Sequence, residues 1–506
     1  MRYLPDGAWM QKADAHTIQN IGIPSEVLME RAALKTVEWM EEKHLVQGKI
    51  LIVCGSGNNG GDGFAVARLL HQKHCQVTVV FVGKESSMSR ECCLQAKIAH
   101  NLGISIVTEL PGEEYNVIID AVFGVGLSRE ISGHYEEVIR TLNARQGIKL
   151  AVDIPSGIDS KSGKVLGTAF RADATVTFQC EKAGTVLFPG TEYAGEVVAA
   201  DIGIDTSIFE AQPEICYTLE TEDVTRYLPQ RHADSHKGSY GKVLMITGSK
   251  GMAGAAYLSA KAAYTCGAGL VQVYTHESNR VILQQLLPEA IISTYENDFA
   301  KESETLKTLL EWADVVCIGC GLGLSDMARA LLEHTLVNAD VPCVIDADGL
   351  NLLAKNMELL HRMKAAAVLT PHMKEMAGML GCTVPELKTE RFARMKKFVE
   401  QYPVVCVLKD SRSMVAASGK KTFLNTAGNC GMAKAGSGDV LAGVITAFLA
   451  QKMPAYESAV GGVFLHAGGG DEARRMCGSY SMLAEDLIEG IKILLRKTEQ
   501  MEGEQK

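Results

Sequence analysis

No apolar run in this 506-residue chain approaches the roughly 20 residues needed to span a bilayer. The N-terminus, MRYLPDGAWMQKADAHT, lacks the charged-then-apolar pattern of a secretory signal. A basic excess is also missing: 50 Lys and Arg face 60 Asp and Glu, for a formal charge of −10. That balance excludes a general nucleic-acid or anionic-membrane binder, although local basic pockets for phosphate stay possible. There is no low-complexity segment and no internal repeat between the halves. Among the 14 cysteines, Cys317 and Cys320 form the only CxxC, with no second pair to complete a metal site. The others fall at irregular spacing, several in strand-like runs such as Ile52-Val53-Cys54, and read as the reduced, buried thiols of a cytoplasmic protein.

What is present is a globular composition, 47% apolar and 22% charged, in a chain too long for one core. Two domains are expected, 1–215 and 225–506, joined by the irregular, polar stretch that contains Pro213 and Pro229. In the first, a helix over Pro24 to Glu42 precedes β-rich runs near 49–54, 76–83, 116–124, 148–157 and 174–178. Helical patterns from Gly63 to Gln72 and Arg90 to Leu102 separate them, which implies an α/β fold with a Rossmann-like three-layer parallel sheet. The second domain repeats the alternation, with strands expected in KVLMITGS, LVQVYT, DVVCIGCG, PCVIDADG, AAVLTPH and VVCVLKD.

Two aspartate-bearing glycine loops stand at opposite ends of the chain. GSGNNGGDG, Gly55 to Gly63, follows the apolar run that ends in Cys54; NCGMAKAGSGD, Asn429 to Asp439, precedes VLAGVITAFLA. Glycines after a strand let backbone N–H groups approach an anion, and the next helix adds its positive dipole end. The first loop satisfies G-x-G-x-x-G, but the following strand runs into Phe81-Val82-Gly83-Lys84 rather than ending in an acidic ribose ligand, which disfavours a dehydrogenase. Asn58, Asn59 and Asp62 add side-chain oxygens there, and with Asp120 and Ser156 they form an all-oxygen set suited to a hard cation. Gly124 to Glu130 forms a second flexible loop, in which Arg129 can grip phosphate. Asp153 ends a third strand, where it either holds a proton or merely satisfies the turn. In the back half, amides of Gly436-Ser437-Gly438 can form an anion hole while Asp439 takes a hydroxyl proton, the requirement of phosphoryl transfer. Asp346 and Asp348 read equally as a metal pair or as a stabilised turn.

NNGGDG, DAVFGVGLSR and VDIPSGID together resemble the epimerase domain of the bifunctional NAD(P)H-hydrate repair enzymes, over roughly 1–215. The resemblance implies that Asn58, Asn59, Gly60, Gly61 and Asp62 bind the hydrated cofactor. Gly124, Val125, Gly126, Leu127, Ser128, Arg129 and Glu130 do so as well, with Tyr135 nearby. It implies potassium on Asn59, Asp120 and Ser156, and makes Asp153 the acid or base; Lys182 matches a family lysine, although Glu181 replaces the usual proline before it.

HKGSYGKVLMITGS, GCGLG, DADGLN, LTPHMKEM and NCGMAKAGSGDVLAG are similar to the ribokinase-like, ADP- or ATP-dependent dehydratase domain, over roughly 225–500. This implies Ala255, Gly321, Gly323, His372 and catalytic Asp439 beside the hydrated nicotinamide. Lys409, Asp410, Ser411, Arg412 and Ser413 would surround the nucleotide, along with Asn429, Cys430, Gly431, Met432, Ala433, Lys434, Ala435, Gly436, Ser437 and Gly438. KDSRS departs from the family's glycine-containing form, and Cys320 stands in the proline position of a glycine-proline-glycine motif. The reaction implied is epimerisation of R and S NAD(P)HX and dehydration of the S form, with ADP (ATP in some relatives) as co-substrate and magnesium, by a homo-oligomer whose partners are small-molecule nucleotides. The alternative is a ribokinase-like small-molecule kinase with an accessory nucleotide-binding domain.

Overall fold

A computed structural model describes the chain except residues 230, 297 and 505–506, and describes side chains as far as residue 500. The expected 225–506 domain includes those four positions, which lie outside the described residues. The chain divides into two compact units, Arg2–Tyr217 and Thr218–Lys506 together with Met1.

In the first unit seven strands form one sheet: β1 (Lys49–Cys54), β2 (Gln76–Phe81), β3 (Ser105–Val107), β4 (Val117–Ala121), β5 (Ile148–Val152), β6 (Ala174–Phe178) and β7 (Glu196–Ala200). Their spatial order is β3-β2-β1-β4-β5-β6-β7, every pair parallel. This is the Rossmann-like order, whose direction reverses between β1 and β4 and opens a crevice at the carboxyl ends of those strands. The alternation along β1 shows why both faces need helices. Ile50, Ile52 and Cys54 join a core with residues of α1 (Gly7–His16), α2 (Ser25–Glu42) and α3 (Asn58–Gln72). Leu51 and Val53 join another with Val138, Ile139 and Leu142 of α5 (His134–Ala144). Such side chains, fully buried, stabilise by about 1.5–3 kcal/mol each.

One expectation needs adjustment here, and three elements were not foreseen. Helix α3 begins at Asn58 rather than Gly63, so the asparagines and glycines of the loop form its first turns. They can do so because Gly60 lies against the preceding loop: a Cβ there would stand 1.9 Å from the Gly55 carbonyl oxygen. A Cβ at Gly61 would meet Met29 Cε at 2.7 Å and the Cα of Cys92 at 3.2 Å, at the start of α4 (Arg90–Asn101). Strands β3 and β7 and helix α1 escaped the sequence reading, β3 and β7 because these edge strands are short and mostly exposed or half-buried.

The second unit holds β8 (Lys242–Ile246), β9 (Leu270–His276), β10 (Ile291–Tyr295), β11 (Val315–Ile318), β12 (Cys343–Ile345), β13 (Ala367–Leu369), β14 (Val404–Leu408), β15 (Met414–Ala416) and β16 (Phe423–Leu424). They lie in the order β16-β15-β14-β13-β12-β11-β8-β9-β10. Pairing is parallel from β14 to β10 and antiparallel across β14, β15 and β16. Strands β10, β15 and β16 were not foreseen; the last two are short and closed by hairpin turns. Helix α9 (Ser437–Ala450) is buried at every position from Val440 onward, which explains a sequence apolar on all sides. It packs on α6 (Ala253–Thr265) so closely that a Cβ at Gly443 would stand 2.2 Å from the Ser259 carbonyl oxygen.

Candidate active sites

In the first unit a cavity of about 700 Å³ opens at the crevice between β1 and β4. Its wall includes Asn58, Asn59, Asp62, Gly124 to Arg129, Asp153 and Lys182. The dipeptide Gly60-Gly61 and Glu130 are not among its lining residues, and Tyr135 packs instead on Phe123 with ring centroids 4.9 Å apart. Thus the two glycines admit close packing of α3, while the residues around them face the cavity.

Asp153 follows β5 directly and adopts a left-handed backbone, φ 67°. Its Oδ1 accepts hydrogen bonds from Phe178 N at 3.1 Å and Thr177 Oγ1 at 3.3 Å, and forms a salt bridge with Lys182 Nζ. Lys182 is 1% exposed and also donates to Thr177 Oγ1 (2.8 Å) and to the Phe178 carbonyl (3.0 Å). Burial pushes the Asp62 carboxyl well above the usual carboxylate range; Asp153 and Asp14 push the same way and Lys182 opposes them. Asp14, on α1, lines the same cavity, and its carboxyl is likewise raised by burial and by Glu91 and Asp153. Sequence reasoning missed Asp14 because α1 itself carried no legible pattern. The cavity therefore joins two carboxyl groups whose hold on a proton is strengthened by burial to an aspartate salt-bridged to a buried lysine, two contrasting environments of the kind that acid and base roles use.

Asp120, at the end of β4, is fully buried. Its Oδ1 accepts from Ser156 Oγ at 2.7 Å and Val122 N at 3.1 Å, and its Oδ2 from Ser156 N at 2.7 Å. Burial lifts its carboxyl to about 6 against those hydrogen bonds. Ser156 Oγ in turn accepts from Phe123 N at 2.8 Å. Asn59 Nδ2 is buried with no hydrogen-bond partner, and a Cβ at Gly124 would stand 3.2 Å from the Asn59 side chain. Rotating that amide brings its carbonyl oxygen to the orphaned position. An all-oxygen set of low charge fits a hard monovalent cation.

In the second unit the C-terminal ends of β11, β12, β13 and β14 converge. Asp346 after β12 is 1% exposed; its Oδ1 accepts from Lys409 Nζ at 2.5 Å and Thr370 Oγ1 at 2.8 Å. Asp348 opens α7 (Asp348–Leu353) and accepts from Gly323 N at 2.8 Å, so Asp346 and Asp348 serve different partners rather than forming an isolated pair. Burial opposes the Lys409 charge, but Asp346 and Glu375 outweigh it and leave its ammonium raised above the ordinary lysine value. Gly319, at φ 121°, is obligatory: a Cβ there would stand 2.0 Å from the Asp346 carbonyl oxygen. Gly321 reaches Ala255, whose methyl would be 2.8 Å from an added Cβ, and Gly323 lies beside Ser249. Residues far apart in sequence are thereby drawn to one place.

Gly436, left-handed at φ 93°, caps α9, so Ser437, Gly438 and Asp439 occupy its first turn. A Cβ at Gly438 would be 3.3 Å from Lys409 Nζ. Burial lifts Asp439 to about 6, assisted by Asp346 and opposed by hydrogen bonding to Cys320 and by Lys409. Behind the loop, His466 Nε2 is 2.9 Å from the Ser437 carbonyl oxygen, on α10 (Ala455–Ser481); burial depresses its imidazole to about 4. This neutral donor fixes the loop and left no signal in the sequence.

Asn429 Oδ1 accepts from Gly431 N while its Nδ2 donates to the Gly470 carbonyl and to Asp471 Oδ1, at 3.0, 2.8 and 3.0 Å. It orders the segment Cys430 to Ala435, in which Lys434 Nζ donates to the Tyr480 carbonyl at 2.6 Å. The 409–413 segment is the turn from β14 to β15: Asp410 lies 3.6 Å from Arg391 Nη1, Ser413 Oγ bonds the Asp410 carbonyl, and Ser411 and Arg412 lie between them. His372 caps α8 (Met373–Leu380), its Nδ1 accepting from Lys374 N and Glu375 N, both at 3.1 Å. Its Nε2 lies 3.3 Å from Glu375 Oε1, so the same carboxylate that closes the helix cap also orients the ring. Pro371 and Lys409 are joined by a backbone hydrogen bond of 2.8 Å, which places the β13 and β14 turns side by side. Asp346 Oδ2, Asp348 and Asp439 offer oxygen to a hard divalent cation arriving with phosphate, so the residues fit magnesium.

Residues 243–492 match the family described as NAD(P)H-hydrate dehydratase, and residues 25–184 the family described as YjeF-related protein N-terminus. The chain is 34% identical to the bifunctional NAD(P)H-hydrate repair enzyme Nnr of Moorella thermoacetica, across 98% of this chain and 97% of that protein. It is 37% identical to the enzyme of the same name from Coxiella burnetii, across 94% and 96%. Among solved structures, a hypothetical protein of Streptococcus mutans is 29% identical and superposes with a TM-score of 0.50, covering 56% of this chain and 99% of that one.

Proposed function

This chain belongs to the bifunctional NAD(P)H-hydrate repair enzymes, and from that membership we propose how its two carboxylate-lined sites divide the work. The enzyme epimerises R and S NAD(P)HX and dehydrates the S form to NAD(P)H. We assign epimerisation to the Arg2–Tyr217 unit and dehydration to the ribokinase-like unit that follows it.

In the first unit Asp153, salt-bridged to Lys182, takes the proton of the C6 hydroxyl, and Asp62, whose burial favours its protonated form, donates to the ring nitrogen. The C6–N1 bond breaks to give an aldehyde and an enamine. Rotation and reclosure on the other face, with the protons returned, invert C6. Gly124 to Arg129 would hold the diphosphate. Asn59, Asp120 and Ser156 would hold potassium, which supplies positive charge beside the cofactor's anionic groups when bound.

In the second unit Asp439 takes the same hydroxyl proton while the terminal phosphoryl group of ADP passes to the oxygen, in a site where the α9 amides and Lys409 stabilise the transferred charge. Hydroxide is a poor leaving group and phosphate a good one. The ring nitrogen expels phosphate, and loss of a C5 proton restores the dihydropyridine, with AMP and phosphate as by-products. Asp346 and Asp348 would hold the magnesium, which neutralises phosphate charge. His372 and the Ala255–Gly321–Gly323 cluster would cradle the nicotinamide.

The observation that supports this reading best is Asp439 in the first turn of a left-handed-capped helix, beside the Lys409–Asp346 pair. The test follows the near-ultraviolet absorbance of dihydronicotinamide formed from an R/S mixture of NADHX. Full recovery that requires ADP is expected. Asp153→Ala should halt near the S fraction, and Asp439→Asn should abolish recovery while nucleotide still binds. A stable phosphorylated product would instead establish the kinase, and equal loss of both activities in Asp153→Ala would refute the division of labour.

A further inference from the structure

The CxxC that led nowhere in the sequence acquires a setting in the second unit. Cys320 is fully buried, and its sulfur, one Asp346 oxygen and one Asp439 oxygen lie within 4.8 Å of one another. Asp346 engages Lys409 and Thr370 through Oδ1, whereas its Oδ2 faces Cys320 Sγ at 3.9 Å. One thiol proton cannot serve both carboxylates. The Lys409 ammonium lies on the other Asp346 oxygen, so one soft sulfur and two hard oxygens converge on a single point from three separate chain segments.

The geometry points to a binding site for a thiophilic divalent cation, zinc by chemical class, formed by Cys320, Asp346 and Asp439, whose occupation shuts off the dehydratase. One thiolate and two carboxylates with a water make a tetrahedral shell for zinc, whereas magnesium takes oxygen and avoids sulfur. On binding, the metal–sulfur bond replaces the S–H bond and the proton passes to solvent. The Asp439 oxygen that must take the substrate's proton then becomes a metal ligand. Inhibition, though not binding, rests on the role given to Asp439 above. Because Cys320 occupies the proline position of the motif, this sensitivity belongs to chains that carry the cysteine.

The test titrates Co²⁺, a spectroscopic substitute for zinc, into the reduced full-length protein without nucleotide. We expect a thiolate-to-cobalt charge-transfer band that Zn²⁺ displaces and that Cys320→Ser loses, even though the exposed Cys93 and Cys430 remain. Zinc half-inhibition of dehydration, relative to each variant's own metal-free rate, should rise at least tenfold in Cys320→Ser. Should that variant fail to fold, Asp439→Asn must weaken cobalt binding about tenfold or more, as loss of support at a metal site does. Absence of the band, its persistence in Cys320→Ser, or unchanged affinity in Asp439→Asn overturns the site. The cobalt readout requires no turnover, so its failure leaves the dehydration reading intact.

Discussion

Replacing Asp153 by asparagine separates the electrostatic role of that residue from its chemical one. Asparagine tolerates the left-handed backbone at φ 67°, so the change adds little strain. What it removes is the counter-charge of Lys182, which is 1% exposed and keeps neutral acceptors such as Thr177 Oγ1 and the Phe178 carbonyl. Breaking a buried pair by deleting one partner costs about 3–5 kcal/mol. In a unit of this size each kcal/mol moves the melting temperature by about 2–4 °C, so its unfolding transition should fall by roughly 6–20 °C. Adding Lys182→Met removes the stranded ammonium and should recover most of that loss. Calorimetry reads the stability; pure R substrate coupled to dehydration reads the epimerase, which should stay silent in both variants. Wild-type melting of Asp153→Asn would refute the buried-cation argument. Return of epimerisation with stability in the double variant would show Asp153 to be structural.

Dehydration should follow the ionisation of Asp439. Burial and Asp346 raise it to about 6, so the rate rises with pH through that value and levels above it; Lys409→Met, which removes an opposing charge, should move the limb to higher pH. A profile flat across that range refutes the proton-acceptor role. Gly60→Ala should lower the denaturant midpoint of the first unit by an amount equivalent to about 1–3 kcal/mol, because its Cβ would stand 1.9 Å from the Gly55 carbonyl oxygen. Wild-type stability with weakened substrate binding would place that glycine against the ligand instead.

The central strands were legible because a parallel strand covered on both faces reads as an unbroken apolar run, as Ile50 to Cys54 and Val404 to Leu408 do. Of the edge strands, Ser105–Val107 is too short to show such a pattern, and Val197 to Ala200 makes a short apolar run of which only Ala200 is buried. The acids at strand ends, Asp120, Asp153 and Asp346, and Asp439 in the first turn of a helix, were visible through the glycines around them. Asp14 and His466 were not, since each sits in a helix with nothing local to mark it and gains its setting only from tertiary packing. The roles of Gly60 and Gly61 were equally hidden: spacing shows that a side chain is absent, but not whether protein or ligand fills the room.

Asp153 and Asp346 are each the next residue after a strand whose last position, Val152 or Ile345, is wholly buried. The reacting groups therefore inherit the stiffness of the sheet, while much of the surrounding wall, such as Gly124 to Arg129, belongs to connecting loops. Loop sequence can drift, or be redesigned for a different hydrated pyridine nucleotide, without displacing the carboxylates. Recognition and chemistry are thus separable inheritances in this chain, one carried by turns and the other anchored in the hydrophobic interior.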